Sequence, residues 1–210
     1  GWNAVELIVA DVDALAGQLA GGPFRVIGEP ADLSFTDKIR AMQVVGPARE
    51  VLYLTQIKER LAAFDTPEAA AFVDRAFIVI LGGSSLGLLQ DFYHGRFGVA
   101  RAEAMPSVIS VLSAPYGLPR EYRHAIAALK VDGQCYIEAD EMPPGAVARP
   151  CEPGQLPPGI AMVSFEVDRL PDSASALGPA HRSPALPYGG RRSLACLGAA
   201  GELIELVEAG

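Results

Sequence analysis

Apolar and polar positions along the chain follow one pattern that recurs three times. Residues 2–10 form an apolar run with Glu6 inside it and read as a strand. Asp11 is a helix N-cap. Val12, Leu15 and Leu19 then recur at helical spacing, and Gly21-Gly22 stops the helix. Residues 24–27 read as a short strand, 30–38 as a polar loop, and 41–45 with 50–57 as a hairpin. The order is βαβββ. It restarts with an apolar, β-branched strand at 76–81, a Gly-Gly-Ser-Ser turn, and a helix over 86–94 with Leu86, Leu89 and Tyr93 on one face. Residues 108–112 read as strand, and 125–131 with 134–139 as a hairpin around Asp132-Gly133. A third opening strand at 160–167, a short helix at 173–177 and a final hairpin complete the series.

The hairpins repeat in detail. Gly46-Pro-Ala-Arg-Glu50 lies over Gly198-Ala-Ala-Gly-Glu202 without a gap, and Val51-Leu-Tyr-Leu54 over Leu203-Ile-Glu-Leu206. Tyr53 thus takes the place of Glu205, an acid that alternation sets opposite Ile204 and Leu206. A motif duplicated in this way marks a repeated unit. The expected organisation is an α+β fold of βαβββ modules forming curled mixed sheets. It comprises a module at 1–57, a helical connector at 58–74, a module at 75–142, a proline-rich linker at 143–159, and a module at 160–210 pairing with 75–142. The first module then lacks a partner. Either a module precedes Gly1, or a second subunit covers it as a homodimer.

Composition narrows the function. Half of the 210 residues are hydrophobic, enough for a substantial core, and a net charge of −8 argues against a nucleic-acid partner. No apolar run is long enough to span a membrane. Cys135, Cys151 and Cys196 are odd in number and far apart, which fits reduced thiols in a cytoplasmic protein. Gly83-Ser-Ser-Leu-Gly87 matches the G-x-S-x-G of a nucleophile elbow with Ser85 as nucleophile. A hydrolase sheet needs parallel strands before that elbow, however, and here a hairpin precedes it. The alternative is that Ser84 or Ser85 caps the next helix. The three histidines are scattered and read as surface or packing residues.

Three βαβββ units, Phe92-Tyr93 followed by Phe97-Gly98, and the ending Gly201-Glu-Leu-Ile-Glu-Leu206 together resemble the vicinal oxygen chelate superfamily. This is the fold of glyoxalase I, extradiol dioxygenases and bleomycin-resistance proteins. The resemblance implies paired modules curled into a half-barrel around a small-molecule cavity, often over a divalent metal. The ligands of that metal come from the opening strands and from the acid of each last strand. Carried over, these positions are Ala4 and Tyr53, Ile78 and Glu138, Met162 and Glu205. Only Glu205 and Glu138 are carboxylates, and Glu138 needs a one-residue slip of register. The implied function is a small-molecule-binding protein without the usual histidine ligands. Tyr136, Met162, Ser164, Glu166 and Glu205 would line its cavity, with Glu166 and Glu205 as a carboxylate pair on one face. The alternative is a lyase, isomerase or dioxygenase whose divalent metal is held by Glu205 and Glu138.

Overall fold

The structure is a computed structural model that describes residues 1–62, 64–171 and 176–210. The first unit holds β1 (Trp2–Val9), α1 (Val12–Leu19), β2 (Arg25–Leu33), β3 (Thr36–Val45) and β4 (Val51–Ile57). The second holds β5 (Val73–Gly83), α2 (Leu86–Phe97), β6 (Met105–Val108), α3 (Ser110–Ser113), β7 (Arg123–Val131) and β8 (Cys135–Glu141). The third holds β9 (Met162–Val167), the short β10 (His181–Arg182), β11 (Arg192–Leu197) and β12 (Leu203–Glu208). The helix read at 173–177 falls largely on residues 172–175, outside the described residues. Ala176 forms an isolated bridge with Cys196.

Asp11 caps α1 through its carboxylate and the Ala14 amide, and Ser85 caps α2 through its hydroxyl and the Leu88 amide. Gly98 ends α2 with a positive φ of 70°. Each unit repeats one connection. The opening strand lies parallel to the last strand, and the last two strands form an antiparallel hairpin.

Strand order is β2-β3-β4-β1-β5-β8-β7-β6 in one eight-stranded sheet and β10-β11-β12-β9 in a second sheet. The first two units therefore join edge to edge through antiparallel β1 and β5, with Ala4 opposite Ile80 and Glu6 opposite Ile78. This corrects the expected pairing of the second and third units and gives the first unit its partner within the chain. The opening strands of all three units carry similar apolar runs, so the sequence does not select which two pair. The third unit instead packs face to face. Leu89 and Tyr93 of α2 lie in one core with Leu129, Ile137 and Ala139 of the second unit and Leu194, Ile204 and Leu206 of the third. Trp2 joins this core, stacks 6.0 Å from Phe165 at a tilt, and donates its indole N–H to the Leu203 carbonyl at 2.6 Å. A second core lies under α1, between Val12 and Leu15 and the strand residues Met42, Val44 and Leu54.

Two local expectations also change. The described residues of 58–72 hold no helix. Thr66-Pro67 disfavours helical backbone, and Asp65 is tied across to Lys130 and Gln134. The apolar residues at 108–112 are not a strand, because the chain leaves β6 at Val108 and turns into α3. A short apolar run carries no periodicity that separates the two. The supposed loop at 30–38 is mostly strand, the ends of β2 and β3.

Candidate site on the concave face of the paired sheet

The joined sheet curls, with α1 and α2 on its convex side. Alternation sends Leu7, Val9, Leu52 and Leu54 to the α1 core and Val79, Leu81, Ile137 and Ala139 to the α2 core. Glu6, Tyr53, Thr55, Glu138 and Asp140 therefore share the opposite, concave face. Register makes the units comparable residue by residue. Glu6 pairs with Tyr53, Ile80 with Glu138, and Ser164 with Glu205. Glu138 thus stands where Tyr53 and Glu205 stand, and no slip is needed.

Glu6 on β1 and Glu138 and Asp140 on β8 form a carboxyl cluster in the middle of this face. Thr55 donates its hydroxyl to Glu6 Oε1 at 2.5 Å. Glu138 and Asp140 have no hydrogen-bond partner among the described residues, and no Lys or Arg among them forms an ion pair with any of the three. Asp140 is buried, with Oδ1 unpartnered. Burial pushes the Glu6 carboxyl up to about 7, against the Thr55 hydrogen bond, which favours the charged form. Burial likewise raises Asp140 to about 7. Glu138 is raised well above the carboxylate range by burial, then by the charges of Asp140 and Glu6. Burial also raises the Tyr53 phenol, and the same three acids add to it.

Tyr53 also lines a hollow of about 590 Å³ with Val45, Val51, Leu112, Tyr116 and Met142. The roof is α3 and the turn that follows it. A methyl at Gly28 of β2 would run first into the Gln43 side chain and would also lie 3.1 Å from the Val111 side chain of the roof. The roof is pinned by a buried contact of 2.8 Å between Ser113 Oγ and His124 Nε2. Burial lowers the His124 pKa, and its Nδ1 has no partner. A larger hollow of about 820 Å³ lies under the proline-rich linker, where Arg149 binds the carbonyls of Trp2, Pro158 and Ile160.

The residues expected to form the cavity are divided. Met162, Ser164, Glu166 and Glu205 belong to the second, four-stranded sheet, whereas Tyr136 is on the paired sheet, its hydroxyl accepting the Asp65 amide. Ser164 and Tyr188 donate to the two oxygens of Glu205 at 2.5 and 3.0 Å. Glu166 pairs with Arg191 at 2.5 Å instead of with Glu205. Glu138 and Glu205 lie on different sheets, so the expected metal pair is not assembled. Nor do the residues fit the metal that the fold family implies. Its positions in the paired sheet hold Ala4, Tyr53 and Ile78 beside the one carboxylate Glu138, where three or four N/O donors are needed. Among the described residues no group of three or more His, Cys, Asp or Glu is placed to share an ion. Ser85 spends its hydroxyl on the α2 cap, and no histidine is among its hydrogen-bond partners in the described residues. Sequence reasoning did not place Asp140 beside Glu138 in a cavity, nor did it find the Ser113–His124 contact. Asp140 was readable, two residues from Glu138 on the same strand face, whereas the contact depends on where α3 folds.

No helix among the described residues is long and apolar enough to cross a membrane. No protein-family model matches the sequence, and no curated protein matches it. Solved structures do match. Glyoxalase I from Zea mays superposes with a TM-score of 0.63 at 16% identity, covering 99% of this chain and 67% of that one. A point variant of the same maize enzyme gives 0.65 at 17% identity, with the same coverage. A dioxygenase candidate from Bacillus subtilis gives 0.59 at 11% identity, covering 99% of this chain and 61% of that one. At such identities the likeness speaks for fold alone, and it agrees with the shared register of the three units: this chain has the fold of the vicinal oxygen chelate superfamily.

Proposed function

We propose that this protein binds a small molecule on the concave face of the paired sheet, without a histidine-held metal. One observation carries the reading. Three carboxyls, Glu6, Glu138 and Asp140, face one concave surface, and among the described residues no cation pairs with them. Uncompensated buried acids destabilise a fold, and groups perturbed in this way concentrate at functional sites. The hollow beside Tyr53 supplies the apolar walls that small-molecule sites usually have. A thermal-shift screen of a fragment library tests it. Hits should raise the melting temperature of the wild type by several degrees and leave Tyr53→Ala unmoved. A library with no hit above solvent controls, or hits indifferent to Tyr53→Ala, would sink the reading.

A second reading is favoured by the Glu6 carboxyl, which sits near neutrality at about 7. A carboxyl so placed serves a metal-free lyase or isomerase as a proton carrier. Turnover of a bound ligand with a pH profile that bends near 7, and loses that bend in Glu6→Gln, is the expected signature. Turnover unchanged by Glu6→Gln would remove this reading.

A further inference from the structure

We infer that the molecule bound on the concave face is an organic ammonium with at least one N–H, recognised by Glu6, Glu138, Asp140 and the ring of Tyr53. This deepens the small-molecule reading above and rests on it.

Charge excludes most other classes. Three acids face the same surface, and among the described residues no lysine or arginine bonds to any of them. Arg25, exposed on the wall of the neighbouring hollow, makes no bond to them either. An anionic ligand would add negative charge where burial and mutual repulsion already oppose the ionisation of the acids. A neutral apolar ligand would leave the carboxyls as they are, including Asp140 Oδ1, which is buried and accepts no hydrogen bond. A donor carrying positive charge satisfies both deficits at once.

Geometry then separates an organic cation from a metal ion. Glu6 lies on β1 and the other two acids on β8, with β5 between them. Two strand spacings are roughly 10 Å. Carboxyls so spread do not close around one point ion, which matches the lack of a three-ligand group among the described residues. An alkylammonium carries its charge on a body several ångströms wide and can meet acids on separated strands. Tyr53 supplies the remaining element. It pairs in register with Glu6 and also walls the hollow, so its ring connects the acids to an apolar compartment. A cation against that ring gains a further attraction that a neutral ligand lacks.

Titration calorimetry at pH 8 with four probes tests this: benzylammonium, benzyl alcohol, benzoate and Mn²⁺. Benzylammonium should bind at least tenfold more tightly than benzyl alcohol, and benzoate should not bind. The triple variant Glu6→Gln, Glu138→Gln, Asp140→Asn should lose at least tenfold for benzylammonium and keep its weak hold on benzyl alcohol. Asp140→Asn alone, checked for native folding by near-UV circular dichroism, should show part of that loss. Benzyl alcohol binding as tightly as benzylammonium, or benzylammonium failing to bind while fragment hits persist, overturns the inference and leaves the small-molecule reading standing. Stoichiometric Mn²⁺ binding abolished by the triple variant overturns it in favour of a metal. If no probe and no fragment binds, both readings fall together.

Discussion

Glu138 and Glu205 occupy the same position in two copies of one unit, yet they live in opposite surroundings. Glu205 pairs in register with Ser164, accepts its hydroxyl, and takes a second hydroxyl from Tyr188. Glu138 pairs with Ile80, has two other acids for company and no hydrogen-bond partner among the described residues. Duplication delivered the same strand geometry to both. The residue on the facing strand, serine in one case and isoleucine in the other, helps decide whether the acid is a satisfied structural group or an unpartnered one whose ionisation is opposed. A position in a repeat therefore says where a side chain points, and its neighbours say what it can do.

The widest way to break this contrast is pH. The carboxyls of Glu6 and Asp140 titrate near 7 in the folded protein but at ordinary values of 4.5 and 3.8 when unfolded, and Glu138 shifts in the same direction. Between those limits the folded state binds more protons than the unfolded one, so stability falls as pH rises. The stabilisation is fully present below about pH 4 and is lost as pH passes through about 7. Glu6 alone accounts for about 3 kcal/mol of that loss, since each tenfold change in proton affinity is worth about 1.4 kcal/mol. Melting temperatures measured from pH 5 to 8.5 should therefore drop by well over ten degrees. A flat or rising curve would mean that the three acids are compensated.

Single substitutions should then move in opposite directions on the two sheets. Glu138→Gln removes an unpartnered buried acid whose ionisation is opposed by burial and by Asp140 and Glu6, and once pH is high enough to ionise that acid the substitution should stabilise by about 1–3 kcal/mol. Glu205→Ala deletes two hydrogen bonds to a buried carboxylate, those from Ser164 and Tyr188, and should destabilise by about 1–3 kcal/mol. Urea denaturation of both variants checks the signs, and equal signs would erase the comparison. Smaller again is Tyr93→Phe, which removes the buried 2.9 Å hydrogen bond to Glu202 and should cost about 1–2 kcal/mol.

The smallest difference sharpens the contrast within the repeated turn. A methyl added to Gly198 would lie 1.9 Å from Glu202 Oε1, and one added to Gly46 would lie 2.0 Å from Glu50 Oε1. Glu202 is held by Tyr93 and the Ala200 amide, whereas Glu50 Oε2 is buried with no partner. Glu50 can swing aside at little loss. Gly198→Ala should therefore cost about 1 kcal/mol more than Gly46→Ala in the same denaturation assay.

The repeat itself was legible because it is local. Apolar alternation, the Gly-to-Glu turn and the caps at Asp11 and Ser85 are written in neighbouring residues, and the turn hydrogen bonds coincide in both copies. Gly46 and Gly198 each donate to the glutamate carbonyl four residues on, at 2.8 and 2.9 Å. The partner of each unit was not legible. Edge-to-edge joining of β1 and β5 is a choice among three similar strands, and it depends on α2 occupying the face between the second and third units. The site followed the same division. Glu138, Tyr53 and Glu205 could be placed by alignment. That Glu6 and Glu138 face one another required knowing which units pair. The resemblance implies Glu205 as a ligand, and nothing in the sequence announces that Tyr188 arrives to occupy it.

Helix α2 belongs by sequence to the second unit, yet Leu89 and Tyr93 lie in one core with strands of both the second and the third. The unit of duplication is therefore not the unit of folding. A copy of this module excised at its apparent boundaries would leave the eight-stranded sheet without part of its cover, and the four-stranded sheet would lose the helix it shares. The second and third units should open as one cooperative body in hydrogen exchange. A gene built by tandem copying has in this way become a chain whose parts can no longer be reshuffled singly.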